Sequence, residues 1–463
     1  MKSRGWAVLA IISLPLASFG QSTLTFPRVM VPGEYSSTGF ALVNPDANSA
    51  TVTYTLYGID GSIQATTTQT IPARGQLAKL GRELFPAAMT GGWAQATSAT
   101  SGLQGFWFSG DLSTFADGAE AASSSSELVL PLIGPDSEIH IANTGTDDVT
   151  LLLNLLGTDG KDLSDPFPQR IPAKGYLRAN MATLFPTLTD LSLPSHMRIS
   201  CPCVNSSPIA ATVIVRNLQF VTPSWSVRNG VPAASGATML YFPYLVEGLQ
   251  ANANWRSLVG VTNLSTTSSN DVLLSLFSES GVPLTTSSQT LPPNGGLRLT
   301  ARELFALTSG FQSGWVNVTS TSGLPITGYI AYADLVGSGV AVVAPQQDAL
   351  SQLLFAHIAD LPPWLTGLAL LNPNSAPANV TVYAMNPTGT LIGSATFSLP
   401  GGANTAKLLR ELVPPTQQRT SDGGFVFVQA SSPVFGIELF FSRNLQILAN
   451  VPAGDGSTFV PPK

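Results

Sequence analysis

Charge is what this sequence has least of. Only 10% of its 463 residues are Asp, Glu, Lys or Arg, against roughly 25% in ordinary globular domains, so Ser, Thr, Asn and Gln must solvate most of the surface. The 21 basic and 27 acidic residues leave a net charge of -6. With no basic stripe to meet a phosphate backbone, nucleic acid is not an expected partner. Three histidines, His140, His196 and His357, and two cysteines are little material for a nucleophile and base or for a tetrahedral metal centre. The sequence holds no Gly-x-Ser-x-Gly elbow, no His-Glu-x-x-His, no phosphate-binding loop and no dinucleotide fingerprint. No apolar run reaches the ~20 residues of a membrane-spanning helix.

The longest apolar stretch, Trp6 to Ala17, follows Lys2 and Arg4 and precedes the small residues Ser18 and Gly20. Positive start, short apolar core and small-residue end are the marks of a secretory signal peptide over 1–20, with the mature chain starting near Gln21. The expected location is therefore secreted or cell-surface, the periplasm being the alternative compartment, with no membrane span in the mature chain. Cys201 and Cys203 stand one residue apart in "SCPCV". A bridge across one residue is strained, so free thiols are the favoured expectation. A redox-active bridge, a soft-metal pair and an intermolecular bridge remain as rivals.

What the chain does have is self-similarity. An opening element recurs as "LTFPRV" at Leu24, "LVLPLI" at Leu128, "LYFPYL" at Leu240 and "LLFAHI" at Leu353. An apolar alternation then ends at Asn44, Asn143, Asn263 and Asn372, a residue whose side chain can bond the backbone and form a turn. Next come strands ending at Pro72, Pro172, Pro292 and Pro400, and a short corner, "RELF" at Arg82 and Arg302, "RELV" at Arg410 and "ATLF" at Ala182. Both the prolines and the corner leucines are spaced 100, 120 and 108 residues apart. Runs such as "ATVTYTLYGIDG" alternate with period two, as half-buried strands do, and Asp60-Gly61 and Asp159-Gly160 read as hairpin turns. Seven or eight such strands per repeat predict an all-β chain of four tandem β-sandwiches, over 23–125, 126–236, 237–350 and 351–463. The second repeat is divergent and carries the cysteines.

The pattern at Trp255 and Trp364, with Tyr35 in the first repeat, and the "GW…VTS…G" segments at Trp93 and Trp315 resemble tandem immunoglobulin-like sandwich repeats of exported bacterial proteins. That resemblance covers nearly all of the mature chain and implies architecture, with no catalytic or ligand residue to carry over. The tail "GDGSTFVPPK" repeats the opening element a fifth time, which suggests that neighbouring domains share a continuous strand and form a stiff rod.

Candidate chemistry is sparse. His357 takes the place held by Arg28, Leu132 and Tyr244 in the other repeats, and a position open to four unrelated residues is not a catalytic one. Asp147, Asp148, Asp159, Asp162 and Asp165 match no calcium-loop spacing and read as solvated loop acids. The recurrent Arg-Glu pairs read as caps of the corner. Trp93, Trp315, Tyr35, Trp255 and Trp364 read as buried, whereas Trp107 and Trp225 have no aromatic counterparts in the other repeats and are the candidate stacking platforms for a glycan. No cofactor, metal ligand or catalytic residue is expected. The functional expectation is a noncatalytic surface, adhesion or spacer module binding protein or glycan at a cell surface or in the extracellular matrix. A carbohydrate-binding or carbohydrate-processing protein with a loop-borne site is the alternative, and an outer-membrane β-barrel ranks below it.

Overall fold

The computed structural model describes residues 21–29, 38–88, 90–188, 190, 195–202, 208–218, 224–250, 252–308, 310–421 and 423–461. The segment expected to be a signal peptide, Tyr35 and Cys203 lie outside the described residues. In the first repeat the period-two runs become β1 (Ser22–Val29), β2 (Gly39–Val43), β3 (Ala50–Tyr57), β4 (Ile63–Ile71), β5 (Gln76–Leu80), β6 (Gly92–Ser98), β7 (Gln104–Gly110) and β8 (Ala116–Glu120). A single helical turn, α1 (Gly81–Leu84), separates β5 from β6. They form two antiparallel sheets in the orders β1-β6-β3-β4 and β5-β2-β7-β8. In β3 the side chains of Ala50, Val52, Tyr54 and Leu56 are buried while Thr51 faces out, which is the alternation a sheet with one solvated face requires.

The other three repeats follow the same plan. In the third and fourth, one strand serves both sheets: Met239–Gln250 pairs with Gln312–Ser320 and with Ala253–Asn263, and Phe425–Ser442 pairs with Ala378–Met385 and with Trp364–Leu371. The fold is all-β, and among the described residues every sheet is open, so the chain makes no barrel.

The repeated asparagines are structural staples. Each side-chain amide donates to the carbonyl of the repeated proline: Asn44 to Pro72 at 3.0 Å, Asn143 to Pro172 at 2.8 Å, Asn263 to Pro292 at 2.8 Å and Asn372 to Pro400 at 3.2 Å. Each side-chain oxygen accepts from the backbone two residues on. The corner glutamates cap: Glu83, Glu303 and Glu411 accept from the N–H of Leu80, Thr300 and Leu408. In the second repeat, Asn180 supplies the cap through Thr183 N–H. The arginines of the same motif do something else. Arg302 reaches the buried Glu247 at 3.3 Å and Arg410 the buried Asp360 at 2.8 Å.

The four sandwiches do not form a rod. They close into a ring, because the fourth repeat packs on the first as each earlier one packs on its successor. At the outer ends of the junctions one backbone bond occurs four times: Tyr176 N–H to Ile59 O at 3.1 Å, Gly296 to Thr158 at 2.9 Å, Asn404 to Glu279 at 2.9 Å and Gln76 to Pro387 at 2.8 Å. The turn glycines are required there. Gly61 and Gly160 hold positive φ, and a Cβ on either would run into the Ala173 or Pro293 carbonyl of the next repeat.

The hydrophobic cores also run across the junctions. Trp225 of the second repeat belongs to the first core, Tyr329 of the third to the second, Ile437 of the fourth to the third, and Phe106 of the first to the fourth. The recurrent Gly-Trp pair helps join repeats, since Trp93 Nε1 donates to Lys174 O at 2.8 Å and Trp315 Nε1 to Gly402 O at 2.9 Å.

On the ring's axis the last long strands of the four repeats meet: β8, Trp225–Asn229, Val340–Val343 and Leu448–Val451. Their register-equivalent residues Gly118, Val227, Val342 and Asn450 point four N–H groups at one side chain. Asp117 accepts all four, Oδ1 from Gly118 at 2.8 Å and Asn450 at 3.0 Å, Oδ2 from Val227 at 2.9 Å and Val342 at 3.1 Å. Converging strand edges would otherwise leave buried donors unsatisfied.

The tail corrects the shared-strand expectation. Its Ala453–Asp455 pairs with Leu353–Phe355 of its own repeat, and Phe459 is buried against Phe425 and Phe427. Asp455 O then accepts from Gln104 of the first repeat. The tail thus does at the closing junction what a linker does elsewhere, as where Ser125 at the end of the first repeat bridges to Ile209 of the second.

Candidate functional site

Concavities follow from the ring, because each junction sets one sandwich end against the next repeat's outer sheet face. At equivalent positions the four junctions differ in what fills them. In the first, Arg28 is fully buried, donating through Nη1 to Ser109 Oγ at 2.5 Å and through Nε to His140 Nε2 at 3.2 Å. Its guanidinium lies 5.6 Å from the Trp225 ring centroid, within cation–π range. Glu138 completes the cluster, 4.0 Å from Arg28, 2.7 Å from Arg178 and 3.7 Å from Arg216. Burial pushes the Glu138 carboxyl up, but His140 and Arg178 hold it well below the usual carboxylate range. Burial draws His140 down to about 4, against the pull of Glu138. At the second junction Leu132 replaces Arg28, and Arg298 crosses instead, donating to Ile133 O at 2.8 Å.

The third and fourth junctions stay open, with grooves of about 310 and 320 Å³. They are two versions of one site. Trp255 and Trp364, each eight residues before a repeated asparagine, line them from the upstream repeat, with Tyr244 and Tyr332 in one and His357 and Phe440 in the other. From the downstream repeat come Lys407 and Glu411 in one, Lys79 and Glu83 in the other. The difference is Glu279, which lines the third-junction groove, whereas Pro387 holds the corresponding turn position of the fourth repeat.

The residues singled out from sequence fall elsewhere. Trp107 is fully buried in the first core and Trp225 is 4% exposed, stacked on Phe115 at 4.6 Å with Arg216 at 5.0 Å from its ring. Neither ring offers a face on which a sugar from solvent could stack, because the packing of the second repeat on the first places Trp225 between the two and covers it. Conversely Trp255 and Trp364, read as buried, are the half-exposed tryptophans of the grooves. Their recurrence eight residues before a repeated asparagine marks them in the sequence, but it points to a groove only once the next repeat is packed against them.

His196 is 2% exposed, and burial lowers both it and His357 to about 4. Cys201 is disulfide-bonded, which overturns the free-thiol expectation. The acids of the second repeat are engaged locally, Asp148 with Arg170 and Ala173 N–H and Asp159 with Lys161. Among the described residues no three His, Cys, Asp or Glu side chains are placed to hold a metal ion, and no helix is long and apolar enough to cross a membrane.

Comparison with known proteins adds little. No family model matches the chain, and no curated protein does. Among solved structures, the tetra-tandem repeat in the extending region of a large adhesion protein aligns at 11% identity over 94% of this chain and 99% of that one, with a TM-score of 0.11. At that score the two folds do not superpose.

Proposed function

We propose that this chain is a noncatalytic exported module, a ring of four sandwiches that engages protein or glycan at a cell surface or in the extracellular matrix. The observation that carries this reading is the pair of equivalent open grooves, each with a half-exposed tryptophan in a largely apolar wall, the composition of a ligand site. The noncatalytic half draws support from the histidines. His140 is locked between Arg28 and Tyr176, His196 is buried, and the place of His357 is filled by unrelated residues in the other repeats.

The test is to immobilise the mature chain on glycan and matrix-protein arrays and, in parallel, to offer it polysaccharide and ester substrates. Saturable binding without turnover is the expected result. Hydrolysis would replace this reading with the carbohydrate-processing one, and silence on both arrays would remove it.

A further inference from the structure

We propose that the groove between the third and fourth repeats binds a basic side chain, arginine or lysine, presented by a protein partner. This rests on the binding reading above and names the chemistry of one site. The precedent lies within the chain itself. At the equivalent place in the first junction the molecule has put an arginine of its own, Arg28, against an aromatic ring and a carboxylate, and at the second an arginine again crosses the gap. At the third, Tyr244 stands at the Arg28 position and no arginine lines the groove.

The walls left behind suit a cation from outside. Trp255 and Tyr244 supply aromatic surface, with the buried Tyr332 ring behind them, and Glu279 and Glu411 flank it. Both carboxylates are positioned by one oxygen, Glu279 by Ser313 Oγ at 2.5 Å and Glu411 by Leu408 N–H at 3.1 Å. Glu279 is close enough to Tyr244 for its charge to add to the effect of burial, which pushes the phenol up to about 12. Against these two carboxylates stands one ammonium, Lys407, so the lining is net anionic. The fourth-junction groove is its internal control: Lys79 and Glu83 cancel, and Pro387 replaces Glu279. An aromatic wall with a net negative charge favours a desolvated cation over a neutral side chain of the same shape.

The test titrates the full mature chain with N-acetyl-arginine methylamide, the lysine counterpart, and the citrulline counterpart as the neutral isostere, read by calorimetry and tryptophan fluorescence. One saturable site per chain is expected for the cations, with citrulline at least about tenfold weaker. Glu279→Gln should weaken cation binding by about tenfold and leave citrulline unchanged, while Trp255→Ala should abolish the fluorescence response and Trp364→Ala should not. Glu279→Gln alters only a surface carboxylate, so it still decides the matter should Trp255→Ala fail to fold. Equal binding of citrulline, no saturable cation binding, or sensitivity to Trp364 in place of Trp255 overturns the proposal. If the cations fail while the arrays show a ligand, this site assignment falls and the binding-module reading stands.

Discussion

The rim and the axis of the ring solve the same problem in opposite ways. At the rim, four junctions repeat one backbone bond between a turn carbonyl and the N–H that opens the next repeat's fifth strand. The link is redundant, uses no side chain and survives Ile, Thr, Glu or Pro at the acceptor position. At the axis, four equivalent N–H groups converge, and a single side chain satisfies all of them. The corresponding residues of the other repeats, Ser226, Ala341 and Ala449, leave that space to it. Redundancy tolerates sequence drift, whereas a shared centre admits one occupant, so symmetry of fold here requires asymmetry of sequence.

The largest effect should come from the centre. Asp117→Ala leaves four buried donors facing one another without an acceptor, and a loss of about 3 to 5 kcal/mol is expected, the scale for stranding several buried polar groups at once. A denaturant midpoint shifted by no more than that of a rim variant would erase the contrast. The same residue sets a pH dependence. Burial raises its carboxyl to about 8, although the four N–H groups pull the other way. With the folded value above the unfolded one, its contribution is complete below about pH 4 and is lost as the pH rises through 8. Midpoints recorded from pH 5 to 9 should therefore fall, and that slope should vanish in Asp117→Ala.

Next in size is the closing junction. Phe459 is 1% exposed and packs on Phe425 and Phe427, so Phe459→Ala should cost about 3 to 4 kcal/mol by loss of buried aromatic volume. If the tail were a frayed remnant, calorimetry would show no change. At the rim the expected effect is smaller: Gly160→Ala strains one positive φ and presses a methyl on the Pro293 carbonyl, for about 1 to 3 kcal/mol. Because three other links persist, hydrogen exchange should quicken only around the second junction. Exchange quickening at all four would mean that the rim is as cooperative as the axis.

The sandwiches were legible in the sequence because burial writes itself there: Val52, Tyr54 and Leu56 alternate with threonines since one sheet face is wet. The staples were legible as recurrent Asn and Pro, and the corner motif as Arg-Glu, although the arginine's partner, Glu247 or Asp360, was not. Ring closure left almost no trace. Its rim bonds run between main-chain groups, which any residue supplies, and its centre is one aspartate in "FADGAE" with nothing around it to mark it. The fifth opening element was the one clue, and it was read as a rod because a linear repeat and a closed one share the same period. The grooves were missed for a related reason: they lie between repeats, and Trp255 and Trp364 become lining residues only once two repeats meet.

The smallest effect concerns the corners, where the second repeat differs from its neighbours. Glu303 accepts from Thr300 N–H at 2.9 Å and Thr300 Oγ1 accepts in turn from Glu303 N–H at 3.2 Å, a reciprocal cap. Those bonds with Thr300 lower the Glu303 carboxyl below its ordinary value. A depressed carboxylate stabilises above its unfolded value and loses that contribution as the pH falls through the folded one. The side chain is exposed, so solvent keeps the effect small, and Glu303→Gln should cost about 0.5 to 1 kcal/mol at pH 7 and nothing measurable in acid. In the second repeat Asn180 makes the cap with an amide that does not titrate, so Asn180→Ala should cost a similar amount at both pH values. Site-resolved exchange at Thr300 N–H, which donates to the Glu303 carboxylate, and at Thr183 N–H, which donates to the Asn180 amide, measured at pH 7 and pH 3, separates the two corners. Identical pH behaviour at both would show that the carboxylate caps without its charge mattering, and that the second repeat's different corner is chemically equivalent after all.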